Sequence, residues 1–298
     1  MKILLTGASG LLGHNFAKLG AKRGHQIYGL YHRRKPTASG LCQSIQMDLQ
    51  APDNLTQLCL ELWPDAIVNC AAISSPADCE RHPDLAEKIN VALPQLLAQI
   101  STHIGARQIH ISTDLVFDGL ADQPYRSTDL PNPRSLYGQC KLMAERAVLE
   151  HNPEDPVVLR VPLLMGKSPC QARSIHEKLL HAVQSGEVLK MSRCEWRQPA
   201  AADNVAAVML ELCERRDLHG LFHWAGSERL NRFEIAQRIL EHFNYPIDAV
   251  EADDCPEEDK QSLFFNLEPL VNKIKTRPQN FQAQLEALTR IQPLNAEC

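Results

Sequence analysis

Three glycines, Gly7, Gly10 and Gly13, stand between the apolar run Lys2-Ile3-Leu4-Leu5 and a stretch with helical spacing through Phe16, Leu19 and Ala21. Glycine at this spacing turns a strand tightly into a helix. It lets backbone approach a pyrophosphate and lets the helix pack closely on the strand, while the helix N-terminus offers free N–H groups to the phosphates. The spacing is G-x-x-G-x-x-G. The contacts expected here are Gly7, Ser9, Gly10, Leu11, Leu12 and Gly13, holding a dinucleotide.

The pattern that follows alternates. Apolar runs at 26–31, 44–47, 66–70, 108–112 and 157–161 read as strands, with helices between them over 85–101 and from about Tyr137 onward. Strands that alternate with helices predict an α/β fold, a doubly wound parallel sheet of the Rossmann kind covered on both faces. Ligands of such sheets sit beyond the carboxyl ends of the strands. After Leu164 the alternation becomes irregular. The expected division is a dinucleotide-binding domain over 1–165, a helix at 203–216 returning to it, and a smaller substrate lobe over 166–298.

Composition narrows the function. With 298 residues the chain can bury a core without covalent staples. A net charge of −5 without a dense basic run argues against nucleic acid and anionic membranes as partners. The ten cysteines are scattered, with no C-x-x-C pair, and are read as thiols; the twelve histidines show no H-E-x-x-H spacing, so no metal site is expected. Neither a leader pattern nor an apolar run of ~18 residues is evident, which reads as a soluble, cytoplasmic protein.

The strand ends carry the remaining cofactor candidates. Where an acidic residue would bind a ribose hydroxyl, the second strand ends in His32-Arg33-Arg34, and two guanidinium groups suit a 2′-phosphate; NADP is therefore favoured, with NAD the alternative. Asp48 and Leu49 at the third strand's end are placed to bracket the adenine, and Cys70, Ala71 and Ala72 at the fourth to pass small side chains under the ribose and nicotinamide. Ser74 and Leu164 complete the set.

Tyr137 and Lys141 lie at i and i+4, on one helix face. A nearby cation stabilises a phenolate, moving a group of ordinary pKa ~10 toward the working range for proton transfer. Ser112-Thr113-Asp114 ends the fifth strand, so the Thr113 hydroxyl can orient a carbonyl beside the phenol. Thr113, Tyr137 and Lys141 are the expected catalytic residues, with Lys141 also reaching the nicotinamide ribose. Thr113, Asp114, Arg173, Trp196 and Arg197 are the expected substrate contacts.

At Thr6 to Gly13, Asn69 to Ala72, Ile111-Ser112-Thr113-Asp114-Leu115-Val116-Phe117-Asp118-Gly119, Tyr137 to Glu145, Leu159 to Pro162 and Phe222-His223-Trp224, the sequence resembles the extended short-chain dehydrogenase/reductases, in their dTDP-4-dehydrorhamnose reductase-like branch. The resemblance implies an NAD(P)-linked reductase of a nucleotide-bound 4-keto sugar, with Thr113, Tyr137 and Lys141 in the roles above. It places Trp196 and Arg197 where that family contacts a nucleotide diphosphate. Leu163-Leu164-Met165-Gly166, His32-Arg33-Arg34 and Phe222 to Gly226 look more like the regulatory beta subunit of methionine adenosyltransferase, which implies an NADP-binding partner of another enzyme. The two expectations are a reductase, a homodimer being one of its forms, and a regulatory subunit with little turnover.

Overall fold

The computed structural model describes residues 1–169, 173–256 and 260–289. Their elements run β1 (Lys2–Thr6), α1 (Leu11–Lys22), β2 (Gln26–Tyr31), β3 (Leu41–Gln46), α2 (Pro52–Leu62), β4 (Ala66–Asn69), α3 (Pro76–Arg81), α4 (Pro83–Glu87), a π-helical turn (Lys88–Ala92), α5 (Leu93–Ile104), β5 (Arg107–Thr113), α6 (Leu136–His151) and β6 (Pro156–Val161). Then follow β7 (Leu164–Met165), α7 (Ile175–Gln184), β8 (Leu189–Ser192), β9 (Glu195–Arg197), β10 (Ala200–Ala201), α8 (Ala202–Glu214), β11 (Gly220–His223), β12 (Leu230–Asn231), α9 (Arg232–His242), β13 (Val250–Asp253), β14 (Gln261–Ser262), α10 (Glu268–Val271) and α11 (Phe281–Thr289).

The main sheet is parallel throughout, in the order β11-β6-β5-β4-β1-β2-β3. Alternate residues of its strands serve the two faces. Ile3 and Leu5 pack with Phe16 of α1 and Val205 and Met209 of α8. Leu4, between them, packs on the opposite face with Leu55 of α2 and Leu97 of α5. Burial on both faces is why these strands read as continuous apolar runs.

Two sequence expectations need correction here. Gly220–His223, assigned to the second lobe, is the edge strand of the main sheet, in register with Val157–Arg160. A four-residue strand after a helix that packs on α1 carries no local sign of which sheet it joins. The predicted single helix over 85–101 is interrupted: Asn90, in the π-helical turn, accepts a hydrogen bond from the Ile73 backbone N–H (2.9 Å) and donates to the Ile73 carbonyl (3.0 Å). The wide turn thus ties this helix to the segment that leaves β4.

The smaller lobe has its own core of Leu179, Ile235, Ile239, Val250, Phe281 and Leu285. Its parallel pair β8–β13 matches Ser192 with Asp253. Two residues further along each chain, Cys194 and Cys255 are joined by a disulfide, so these two are not the thiols the sequence suggested. No helix among the described residues is long and apolar enough to cross a membrane.

Candidate active site

The β1–α1 turn presses against the end of β4. Gly7 has φ +67°, and a Cβ on it would lie 2.7–2.8 Å from the backbone of Cys70 and Ala71; a Cβ on Gly13 would collide with the Gly7 carbonyl. Only glycine satisfies both contacts. Gly10 caps α1 without a side-chain hydrogen bond, leaving the first-turn N–H groups of the helix uncapped. Ser9 and Leu11 are half-buried beside the turn, whereas the Leu12 side chain belongs to the core. A bare helix N-terminus in a cradle that admits no Cβ fits a pyrophosphate.

Around it, His32, Arg33 and Arg34 are exposed at the end of β2, and among the described residues neither arginine forms an ion pair. Asp48, exposed, accepts from the Gln50 backbone N–H at 3.0 Å, and Leu49 packs against the core that holds Leu55 and Leu97. Cys70, Ala71 and Ala72 are half-buried at the exit of β4, with Ser74 exposed beyond them; Leu164 is half-buried on β7. Burial pushes the Cys70 thiol up to about 12.

The second half of the site depends on how closely α6 approaches the turn after β5. Ser135 caps the helix, accepting from the Gly138 N–H at 3.1 Å, and a Cβ at Gly138 would collide with the Leu115 carbonyl. That approach buries Tyr137 beside Thr113, whose hydroxyl donates to Asp114 at 3.2 Å. Thr113, Tyr137 and Lys141 are all buried. Burial, reinforced by the neighbouring Asp114 carboxylate, raises the Tyr137 phenol above its ordinary value. Burial lowers Lys141 to about 8, against the opposing pull of Glu145.

Of the expected substrate contacts, Asp114 and Arg197 are brought together. Arg197 donates to Asp114 from Nε (3.1 Å) and Nη2 (2.7 Å), and its Nη1 donates to Glu195 (3.0 Å). Burial raises the Asp114 pKa although Arg197 opposes it, and the two carboxylates hold Arg197 above its ordinary value against burial. Trp196, on the same strand, is half-buried under the Arg229 guanidinium, 4.9 Å from the ring centre. Arg173 is exposed ahead of α7; its backbone N–H donates to Glu177 at 2.9 Å.

Several residues behind the site were not singled out from the sequence. His110 and Ser112 project from β5 toward Lys141 and Glu145 of α6: Lys141 Nζ lies 3.2 Å from His110 Nε2, and the Ser112 hydroxyl donates to Glu145. The signal was a match of periods, since two strand residues span about 6.6 Å and four helix residues about 6 Å. Glu145 pairs with Arg160 at 2.6 Å, and Arg160 reaches His223 Nε2 at 3.3 Å. Burial and the adjacent Arg160 pull His223 down to about 3. These buried groups frame the centre.

The model of the RmlD substrate binding domain family matches residues 1–291. Among curated proteins, methionine adenosyltransferase 2 subunit beta of Xenopus laevis is 36% identical over 251 residues, 82% of this chain and 73% of that one. A protein of Haloferax volcanii named as a probable low-salt glycan biosynthesis reductase is 31% identical over 243 residues, 81% of this chain and 80% of its own. The solved dTDP-4-dehydrorhamnose reductase of Clostridium acetobutylicum superposes with a TM-score of 0.82 at 25% identity, covering 97% of this chain and 99% of that one. With the doubly wound sheet, the glycine cradle and a match along nearly its whole length, the chain belongs to the RmlD substrate-binding family of extended short-chain dehydrogenase/reductases.

Proposed function

We propose that the protein is an NADP(H)-linked reductase that converts the 4-keto group of a nucleotide-bound sugar to an alcohol. The observation that carries this reading is Tyr137 buried beside Thr113, with Lys141 one helical turn further on, beside the glycine cradle. Gly7, Gly10, Gly13 and the first turn of α1 would hold the cofactor's phosphates, Arg33 and Arg34 its 2′-phosphate, and Lys141 its nicotinamide ribose. Asp48, Leu49, Cys70, Ala71, Ala72, Ser74 and Leu164 would line the remaining length. Bound there, NADPH supplies the hydride that reduces the carbonyl carbon.

The Thr113 hydroxyl orients the carbonyl oxygen, and Tyr137 Oη gives that oxygen a proton. A phenol kept protonated by burial suits the reducing direction. Trp196 and Arg173 are assigned to the nucleotide part of the substrate. Arg197, with its nitrogens on Asp114 and Glu195, is assigned a positioning role: it holds Asp114, and with it the turn that carries Thr113.

A second reading is an NADP-binding regulatory subunit of another enzyme with little turnover. It is favoured by the relatives of 35–36% identity, which are methionine adenosyltransferase 2 beta subunits. NADPH consumption by the purified protein, followed across a panel of nucleotide-bound 4-keto sugars, separates the two. The reductase reading expects consumption that falls at least ~10²-fold in Tyr137→Phe. NADPH binding without consumption of it on any member of the panel favours the regulatory reading.

A further inference from the structure

A chain of side chains runs outward from Thr113. The Thr113 hydroxyl donates to Asp114 Oδ1 at 3.2 Å, Arg197 Nη2 donates to Asp114 Oδ2 at 2.7 Å, and Arg197 Nη1 donates to Glu195 Oε1 at 3.0 Å. Leu230–Asn231 of β12 pairs antiparallel with Trp196–Arg197 of β9, which sets Arg232, the first residue of α9, beside Glu195. Arg232 Nε stands 3.8 Å from Glu195 Oε2.

That last contact differs from the others. It is an ion pair too long for a hydrogen bond, and among the described residues the Arg232 side chain donates none. Five N–H donors are therefore unfilled on a side chain of which only 27% is accessible. Helix stability does not explain the residue. A cation in the first turn opposes the positive end of the helix dipole, and the Asn231–Glu234 capping box already closes the start of α9 and occupies the Glu234 carboxylate. Burial lowers the Arg232 pKa against the pull of Glu195, yet a guanidinium stays charged.

We infer that Arg232 is the group that holds the diphosphate of the nucleotide-bound sugar, at the end of this chain remote from Thr113. The inference rests on the reading of the protein as acting on such a sugar. In that substrate C4, whose carbonyl Thr113 orients, stands across the ring from C1, which carries the diphosphate. The anion must therefore lie a sugar's length from Thr113, and Asp114, Arg197 and Glu195 separate Arg232 from it. A guanidinium fork matches two phosphate oxygens.

The neighbouring arginines are otherwise engaged. Arg197 is taken up by Asp114 and Glu195. Arg229 lies over the rings of Trp196 (4.9 Å) and Phe264 (5.9 Å), and Arg193 lies over Phe233 (4.8 Å) with Asp254 at 3.7 Å. Asp114, Glu195, Arg197 and Arg232 together carry no net charge, so an arriving diphosphate meets no surplus of negative charge.

The test is calorimetric titration of NADPH-saturated protein, with the glycine cradle filled, by UDP, dTDP, GDP and CDP, and then by the free nucleoside of the base that binds. The inference expects wild type to bind one of the diphosphates and Arg232→Gln to lose about tenfold or more of that affinity, while nucleoside binding changes little. Arg232→Lys should recover part of the loss, because an ammonium keeps the charge without the fork. Added salt should weaken diphosphate binding more in wild type than in Arg232→Gln. Unaltered diphosphate affinity in Arg232→Gln overturns the inference, as does an equal loss for nucleoside and diphosphate, which a merely structural role would produce. The NADPH affinity of each variant checks its fold; should Arg232→Gln fail that check, Arg232→Lys carries the same comparison. A wild type that binds NADPH but none of the diphosphates removes the nucleotide-sugar reading and the inference together. A protein that holds a diphosphate through Arg232 yet never consumes NADPH loses the reductase reading and keeps this site.

Discussion

Arg197 grips Asp114 across 83 residues of sequence, with Nε and Nη2 converging on one carboxylate oxygen at 3.1 and 2.7 Å. Both side chains are buried, and Asp114 directly follows Thr113. The pair therefore fastens β9 of the smaller lobe to the end of β5, next to Thr113.

Removing one partner strands the other charge in the interior. Arg197→Met should cost about 3–5 kcal/mol of stability, as breaking buried pairs does. Adding Asp114→Asn to it should restore part of that loss. Urea unfolding of wild type, single and double variants checks this; a single variant within 1 kcal/mol of wild type, on a scale where ~0.5 marks an ordinary surface change, would remove the pair from the framework.

Gly138→Ala sets a methyl group against the Leu115 carbonyl. The start of α6 must move, and Tyr137 with it. Overpacking of this kind costs about 1–3 kcal/mol. Thermal unfolding should show that loss, and NADPH-dependent turnover should fall further than the stability change accounts for.

Arg33 and Arg34 are assigned to a 2′-phosphate that NADH lacks. Arg33→Ala/Arg34→Ala should weaken NADPH binding about tenfold or more, near 1.4 kcal/mol, with NADH affinity little changed. Fluorescence titration with both cofactors reads the ratio. Equal loss for the two would show that the arginines do not read the phosphate.

The buried amine and thiols set the alkaline behaviour. Lys141, lowered from 10.5 to about 8, destabilises the fold wherever it is charged in both states. Lys141→Met should therefore stabilise the protein below pH 8 by on the order of 3 kcal/mol, at ~1.4 per pKa unit, with the advantage shrinking as pH rises toward 10.5. Burial raises the thiols from 9.0, to about 12 for Cys59, Cys70 and Cys213 and about 11 for Cys79. Their contribution is complete below pH 9 and is lost as pH climbs through 11 to 12. Tm against pH for wild type and Lys141→Met tests both signs.

The sheet and the glycine cradle were legible in the chain because each rests on local periodicity, and the same periodicity marks Thr113, Tyr137 and Lys141 as candidates. Strand runs repeat every two residues and helix faces every three or four. The Gly7–Gly13 turn and the start of α6 each lie where one period gives way to the next. A residue at such a junction sits at a strand end, where ligands of this fold bind.

Contacts between elements remote in sequence have no such signature. Nothing near Arg197 says that it will meet Asp114, nothing near Gly220 that it will pair beside β6, and nothing near Cys194 that Cys255 lies two residues past a matching register. His110 read as one histidine among twelve until packing set it between Asn69 and Lys141. The chain by itself determined the order of strands and helices and the residues at their ends, since those follow from neighbours a few positions apart. Only tertiary structure decided which buried polar groups face one another, because in a dry interior each donor must find its acceptor on whichever element the packing brings to it.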